Sequence, residues 1–198
     1  MKKIYIESLG CAKNQVDSEI LLSYAEENGY ERALEAEDAD LIVVNTCGFI
    51  ESAKTESINT FFSLKDINPD AKIIMAGCLA QRYGKEMELE EADAIFGNHD
   101  LSKFPEVLKG LDKKQIIVPP YPDPDRERDD RKELLGFPRS AYLKISEGCN
   151  HCCSYCAIPV IRGPLRSRPF EKVVEEAKRL IASGVYEINI IAQDLGAY

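Results

Sequence analysis

Two unbroken apolar runs, Leu41-Ile42-Val43-Val44 and Ile73-Ile74-Met75-Ala76, restrict the fold of this chain more than any other feature. A strand with one wet face alternates apolar and polar residues. One that reads as continuously apolar is covered on both faces, as in a parallel sheet lined by helices. The pattern predicts strands over 3–9, 40–45, 71–76 and 94–96, with a helix over 105–111. Between the strands, Ile20, Leu21, Tyr24 and Ala25 share one helical face. So do Ile58, Phe61, Phe62 and Lys65, the lysine with its apolar stem turned inward. Residues 1–112 are therefore expected to form a doubly wound α/β domain with a parallel sheet.

A charged, proline-rich linker is expected over 113–138, because residues 119–133 hold four prolines and ten charges, which suits a surface connection. From 139 to 198 the order is strand (141–146), cysteine-rich loop, helix and strand (187–192). Pro169 opens that helix, Val173, Val174, Ala177, Leu180 and Ile181 share its face, and Gly184 stops it. This β-α-β unit is the beginning of a parallel barrel or half barrel. It supplies two strands of a sheet that needs several more, so the chain is expected to be part of a longer protein.

Charge and composition narrow the function. Net charge is −9, which argues against a general phosphate-binding face and against direct nucleic-acid binding by this stretch. No run approaches the roughly 18 apolar residues of a membrane helix, and residues 1–7 read as a strand rather than a secretory signal, so a cytoplasmic address without membrane contact is expected. Seven cysteines in such a chain point to reduced thiols serving metal binding or catalysis.

Four of the seven lie in the run Cys149-Asn150-His151-Cys152-Cys153-Ser154-Tyr155-Cys156. Cys149, Cys153 and Cys156 have the spacing CxxxCxxC, which lets a short loop hold three corners of a cubane iron–sulfur cluster and leaves the fourth iron open. Zinc is the rival, since zinc sites usually pair CxxC units and Cys149 with Cys152 also makes one, but only Cys149, Cys153 and Cys156 give the three-then-two spacing. Cys152 reads as a bystander, and His151, inside the tight loop, is not expected to turn back onto the same ion. Cys11, Cys47 and Cys78 each follow a predicted strand and precede a helix. The carboxyl ends of parallel strands share one rim, so these three thiols either converge on one point or are separate buried cysteines.

The CxxxCxxC loop with Tyr155 before its last cysteine resembles the signature of the radical S-adenosylmethionine enzymes. That resemblance implies a cubane on Cys149, Cys153 and Cys156 whose unique iron chelates S-adenosylmethionine, with Tyr155 against the adenine. It implies reductive cleavage to a 5′-deoxyadenosyl radical, fed by an external electron donor. An N-terminal α/β domain with three such cysteines, in the motifs spanning 8–19 and 45–50, resembles the methylthiotransferase family within that superfamily. Membership implies a second 4Fe-4S cluster on Cys11, Cys47 and Cys78, hence two clusters and S-adenosylmethionine as cofactors. The implied reaction adds a methylthio group to the β-carbon of an aspartate in a small-subunit ribosomal protein, S-twelve. A tRNA-modifying methylthiotransferase and a non-catalytic iron–sulfur carrier are the alternatives.

The sequence departs from the family at Cys152 and lacks most of the barrel and the C-terminal TRAM module, so this stretch alone is expected to be inactive. No residue is assigned to the catalytic step itself. The basic run 162–169 is either a solvated turn or a charge partner for a cluster or carboxylate. Gln193 and Asp194, at the end of the second barrel strand, are weaker functional candidates.

Overall fold

A computed structural model describes residues 1–121, 128, 130–137 and 139–198. The prolines at 122 and 124 and the charges at 123, 125–127 and 129 of the expected linker lie outside the described residues.

Six parallel strands make the first sheet: β1 (Lys2–Ser8), β2 (Tyr30–Arg32), β3 (Leu41–Thr46), β4 (Lys72–Gly77), β5 (Ala94–Gly97) and β6 (Gln115–Ile117). Their order is β2-β1-β3-β4-β5-β6. Helices α1 (Ala12–Glu27) and α4 (Phe104–Lys109) cover one face, and α2 (Glu51–Ile67) and α3 (Cys78–Tyr83) cover the other. The unbroken apolar runs are explained by this layering. Val43 and Ile74 enter the core under α1, whereas Ile42, Val44, Ile73 and Met75 enter the core under α2. Consecutive strand residues point to opposite faces, and here both faces are dry.

The second unit contains β7 (Ser140–Lys144), β8 (Ser146–Glu147), α5 (Ile158–Ile161), β9 (Arg166–Ser167), α6 (Phe170–Ala182) and β10 (Glu187–Ile191). β10 runs parallel to β7, and β8 pairs antiparallel with β9 at the mouth of the cysteine loop. The architecture is thus α/β throughout, a doubly wound sheet followed by one parallel β-α-β unit. Among the described residues no helix is long and apolar enough to cross a membrane.

Three expectations need correction. The inward face of α2 is Ser57, Phe61 and Leu64, while Ile58 and Phe62 are exposed. The phase of the helix is set by Ser57, whose Oγ accepts from Cys47 N at 3.0 Å and donates to Cys47 O at 3.1 Å. On α6, Ile181 is exposed and Glu176 is buried, because Arg131 and Arg168 pair with that carboxylate from inside. The sheet also continues past residue 112 with β6, and the described end of the expected linker is no simple surface connection. The Arg131 side chain is 1% exposed, and Leu135 packs on the core under α1.

Arg131 holds the two units together, donating to Glu19 of α1 at 2.5 Å, to Glu176 of α6 at 2.6 Å and to Tyr142 O of β7 at 2.7 Å. Removing one partner of a buried ion pair strands the other in a low dielectric. Arg131→Ala is expected to lower the unfolding free energy by about 3–5 kcal/mol. A change under about 1 kcal/mol in urea-unfolding measurements would show that the carboxylates find other partners.

Candidate functional site

β1, β3 and β4 are neighbours, and the strand order reverses at β1, which opens a crevice at their carboxyl ends. Each of these strands delivers one cysteine there. Cys11 precedes α1, Cys47 follows β3, and Cys78 opens α3. All three line one cavity of about 370 Å³, a volume within the range of small-molecule sites and far beyond the needs of one ion. Of the two sequence readings, convergence or separate burial, the structure selects convergence.

Two features draw the loops together. Asn14 donates from Nδ2 to Leu9 O at 2.8 Å and to Thr46 O at 2.9 Å, tying the ends of β1 and β3, and its Oδ1 accepts from Cys78 Sγ at 3.3 Å. Gly10 has φ +89°, and a Cβ there would lie 2.8 Å from Cys47 Cβ, so only glycine allows the first loop to touch the second.

The opposite wall comes from the second unit: Ile158, Ile161 and Arg162, just after the CxxxCxxC loop, and Ile191 to Gln193 at the end of β10. Arg162 is buried and is no solvated turn residue. Its Nη1 donates to Asp17 at 2.5 Å, and its Nη2 donates to Asn14 Oδ1 at 2.5 Å and to Cys78 Sγ at 3.4 Å. With its amide oriented to suit both neighbours, Asn98 accepts from Arg162 Nε at 3.2 Å and donates to Ile161 O at 3.1 Å.

Asp17 and Glu147 share the cations Arg162 and Lys144, and Glu147 also meets Lys13 at 3.1 Å. Gln193 accepts from Lys13 at 2.7 Å and donates to Glu147 at 3.1 Å. Burial alone would raise the Glu147 carboxyl, but Lys144, Arg162 and Lys13 outweigh it and hold the group well below the usual range. Burial pushes the Cys78 thiol up to about 11, with Arg162 pulling the other way.

The second cysteine loop leaves β8 at Gly148, whose φ is +75° and whose missing Cβ would meet Pro164 O at 2.1 Å. The loop is braced by Cys149 N donating to Gly163 O at 3.1 Å, by Leu165 N donating to Asn150 Oδ1 at 2.9 Å, and by Cys156 N donating to Cys153 O at 3.0 Å. Cys149 and Cys156 are half-buried, and Cys152 and Cys153 are exposed. Tyr155 is 86% exposed, with its ring open to solvent.

Among the described residues, neither cysteine trio gathers its sulfurs within 4.8 Å of one another. Ligands of one tetrahedral zinc lie only about 3.8 Å apart. His151 Nε2 reaches Asp194 Oδ2 at 2.8 Å, and a His151 ring nitrogen, Cys149 Sγ and an Asp194 carboxylate oxygen lie within 4.8 Å of one another. The three residues between Cys149 and Cys153 suffice for that turn, since His151 N already points at Cys149 Sγ at 3.5 Å.

Asn14, Asp17, Asn98, His99 and Glu147 were not singled out from the sequence. The first two had a signal: polar residues on a helix that also carries the core residues Leu21 and Leu22 demand a second packed surface. His99 had none. Its ring stacks on Tyr121 at 4.3 Å and donates from Nε2 to Ile161 O at 3.0 Å.

Comparison with known proteins fits this geometry. Residues 3–97 match the uncharacterized protein family UPF0004, and residues 143–195 match the radical SAM superfamily. The pair defines the class, a UPF0004 domain carrying three converging cysteines joined to the opening of a radical SAM domain. A ribosomal protein uS12 methylthiotransferase RimO of Treponema denticola is 46% identical over 200 residues, covering 96% of this chain and 42% of that protein. The proteins of that name from Geotalea uraniireducens and Clostridioides difficile are each 44% identical over 204 residues, covering 100% of this chain and 46% of their own length. The chain belongs to this methylthiotransferase family and is RimO-like. It spans less than half the length of these curated relatives.

Gly10→Ala is expected to cost about 1–2 kcal/mol from the left-handed backbone alone and to displace Cys47. Alkylation of Cys47 in the metal-free protein should speed up, and an unchanged rate would mean that the loops do not need this contact. His99 offers a pH test. Burial lowers its value from 6.5 to about 4, so the folded state prefers the neutral ring. Its contribution to stability is complete above pH 6.5 and is lost as the pH falls toward 4, where the unfolded chain takes up the proton first. Denaturation of the parent and His99→Gln across that window should give a steeper acid loss in the parent.

Proposed function

We propose that the protein acts as a radical S-adenosylmethionine methylthiotransferase, adding a methylthio group to the β-carbon of an aspartate in the small-subunit ribosomal protein uS12. The observation that carries this reading is the shared cavity. The thiols of Cys11, Cys47 and Cys78 form one wall, and residues that directly follow the CxxxCxxC loop form the other. Cys149, Cys153 and Cys156 would hold one 4Fe-4S cluster with an open iron, and Cys11, Cys47 and Cys78 a second. With S-adenosylmethionine bound, the cofactors supply a radical source and a methyl group, and an external electron donor completes the set.

The chain's own residues bind, orient and exclude water. Phe49, Ile158 and Ile161 make the cleft apolar. Arg162 and Lys13 set positive charge beside thiolates that would otherwise be costly to bury. Tyr155, exposed and next to Cys156, is free to cover a flat ring such as adenine. The acidic net charge favours a protein substrate over tRNA.

Anaerobic reconstitution should yield about eight iron per chain, four for each cubane, with Cys78→Ala losing about half. S-adenosylmethionine should alter the electron paramagnetic resonance of the half that remains. An unchanged spectrum would mark a carrier without catalysis. In a protein of the relatives' full length, mass spectrometry should find the methylthio group on a uS12 aspartate, and its appearance on tRNA instead would overturn the substrate assignment.

A further inference from the structure

Beyond the two-cluster reading, and independent of it, the second loop presents a different donor set. Cys149 Sγ, a His151 ring nitrogen and an Asp194 carboxylate oxygen lie within 4.8 Å of one another. They come from two elements, the loop after β8 and the turn after β10. Asp194 is also held from behind, since its Oδ1 accepts from Gly196 N at 3.1 Å, leaving Oδ2 facing the imidazole. Thiolate, imidazole and carboxylate are the ligand types of an open divalent site in which three protein ligands leave a fourth position to water. A fixed outer oxygen of this kind is the usual support of such a ligand.

We propose that the cluster-free loop binds a single divalent transition-metal ion, of the zinc or iron(II) class, on Cys149, His151 and Asp194. Binding releases the thiol proton of Cys149 to solvent, while the ring proton that His151 turns toward Asp194 moves to the other ring nitrogen, so the imidazole binds in its neutral form. The imidazole and carboxylate stand 2.8 Å apart, and ligands at about 2.0–2.1 Å from a tetrahedral ion stand about 3.3 Å apart. A shift of about half an ångström in an exposed loop brings this pair to ligand spacing, and Cys149 Sγ, within 4.8 Å of both, closes in from the third side. Cys149 cannot serve the single ion and a cubane together, so the two occupancies exclude one another. Cys153 and Cys156 belong only to the cubane.

Cobalt(II) is the probe, titrated anaerobically into the metal-free chain while the thiolate charge-transfer and visible ligand-field bands are followed. In a Cys11→Ala, Cys47→Ala, Cys78→Ala background one equivalent should bind with bands that persist on adding Cys153→Ala or Cys156→Ala and disappear on adding Cys149→Ala. In His151→Ala and Asp194→Ala the affinity should fall at least tenfold. Far-UV circular dichroism checks that each variant folds, as expected for changes in an exposed loop. Bands lost in Cys153→Ala but unchanged in His151→Ala and Asp194→Ala would overturn the proposal. Such a result would leave the cubane assignment standing, and a failed cubane reconstitution would leave the ion site standing.

Discussion

The buried charge cluster between α1 and the second unit is the constraint on which the site depends. Lys13 and Asp17 on α1 meet Lys144 at the end of β7, Glu147 in β8 and Arg162 after α5, and every one of these side chains is at most 7% exposed. Taken out of water, such ions contribute little net stability, since desolvation consumes most of what their attraction returns. Their effect is on register. Any other docking of the two units would leave several charges buried without partners, at several kcal/mol each. The cavity between the cysteine loops exists because only one docking satisfies all five.

Much of the fold was legible. The unbroken apolar runs announced β3 and β4 as strands covered on both faces, and the strand-then-cysteine pattern placed Cys11, Cys47 and Cys78 on one rim. What escaped was weakly patterned. β2 and β6 are three residues each, at the sheet edges, where pairing to a formed neighbour rather than intrinsic pattern decides the state. The phase of α2 was misread because Ile58 and Phe62 offer as good an apolar stripe as Phe61 and Leu64. The choice between them was made by a serine hydroxyl bonding the Cys47 backbone, which no hydrophobic periodicity reports.

The second unit shows the same limit. The basic run after the triad loop left two readings open, and Arg162 and Arg168 both prove to be paired with buried carboxylates. Their partners Asp17 and Glu176 lie more than a hundred residues away or on a helix read for its apolar face. Pairing across such separations carries no local signature. His151 bonds Asp194, 43 residues away in the turn after β10, a partner that its position in the cysteine loop does not announce.

Among the described residues, Lys13, Lys144 and Arg162 gather around Asp17 and Glu147. Arg162 lies at the cavity wall with its guanidinium on Cys78 Sγ, the most buried of the three converging thiols. An apolar cleft ringed by sulfur would strongly resist thiolates or an anionic cluster without such compensation. The groups that fix how the two units dock therefore also supply the charge that the cysteine site requires. One helix, α1, carries both duties: its N-terminus bears Cys11, and its next two turns bear Lys13, Asn14 and Asp17. The run from Cys11 to Asp17 is a ligand loop and a domain joint at once, which accounts for so many polar side chains being packed into a buried helix.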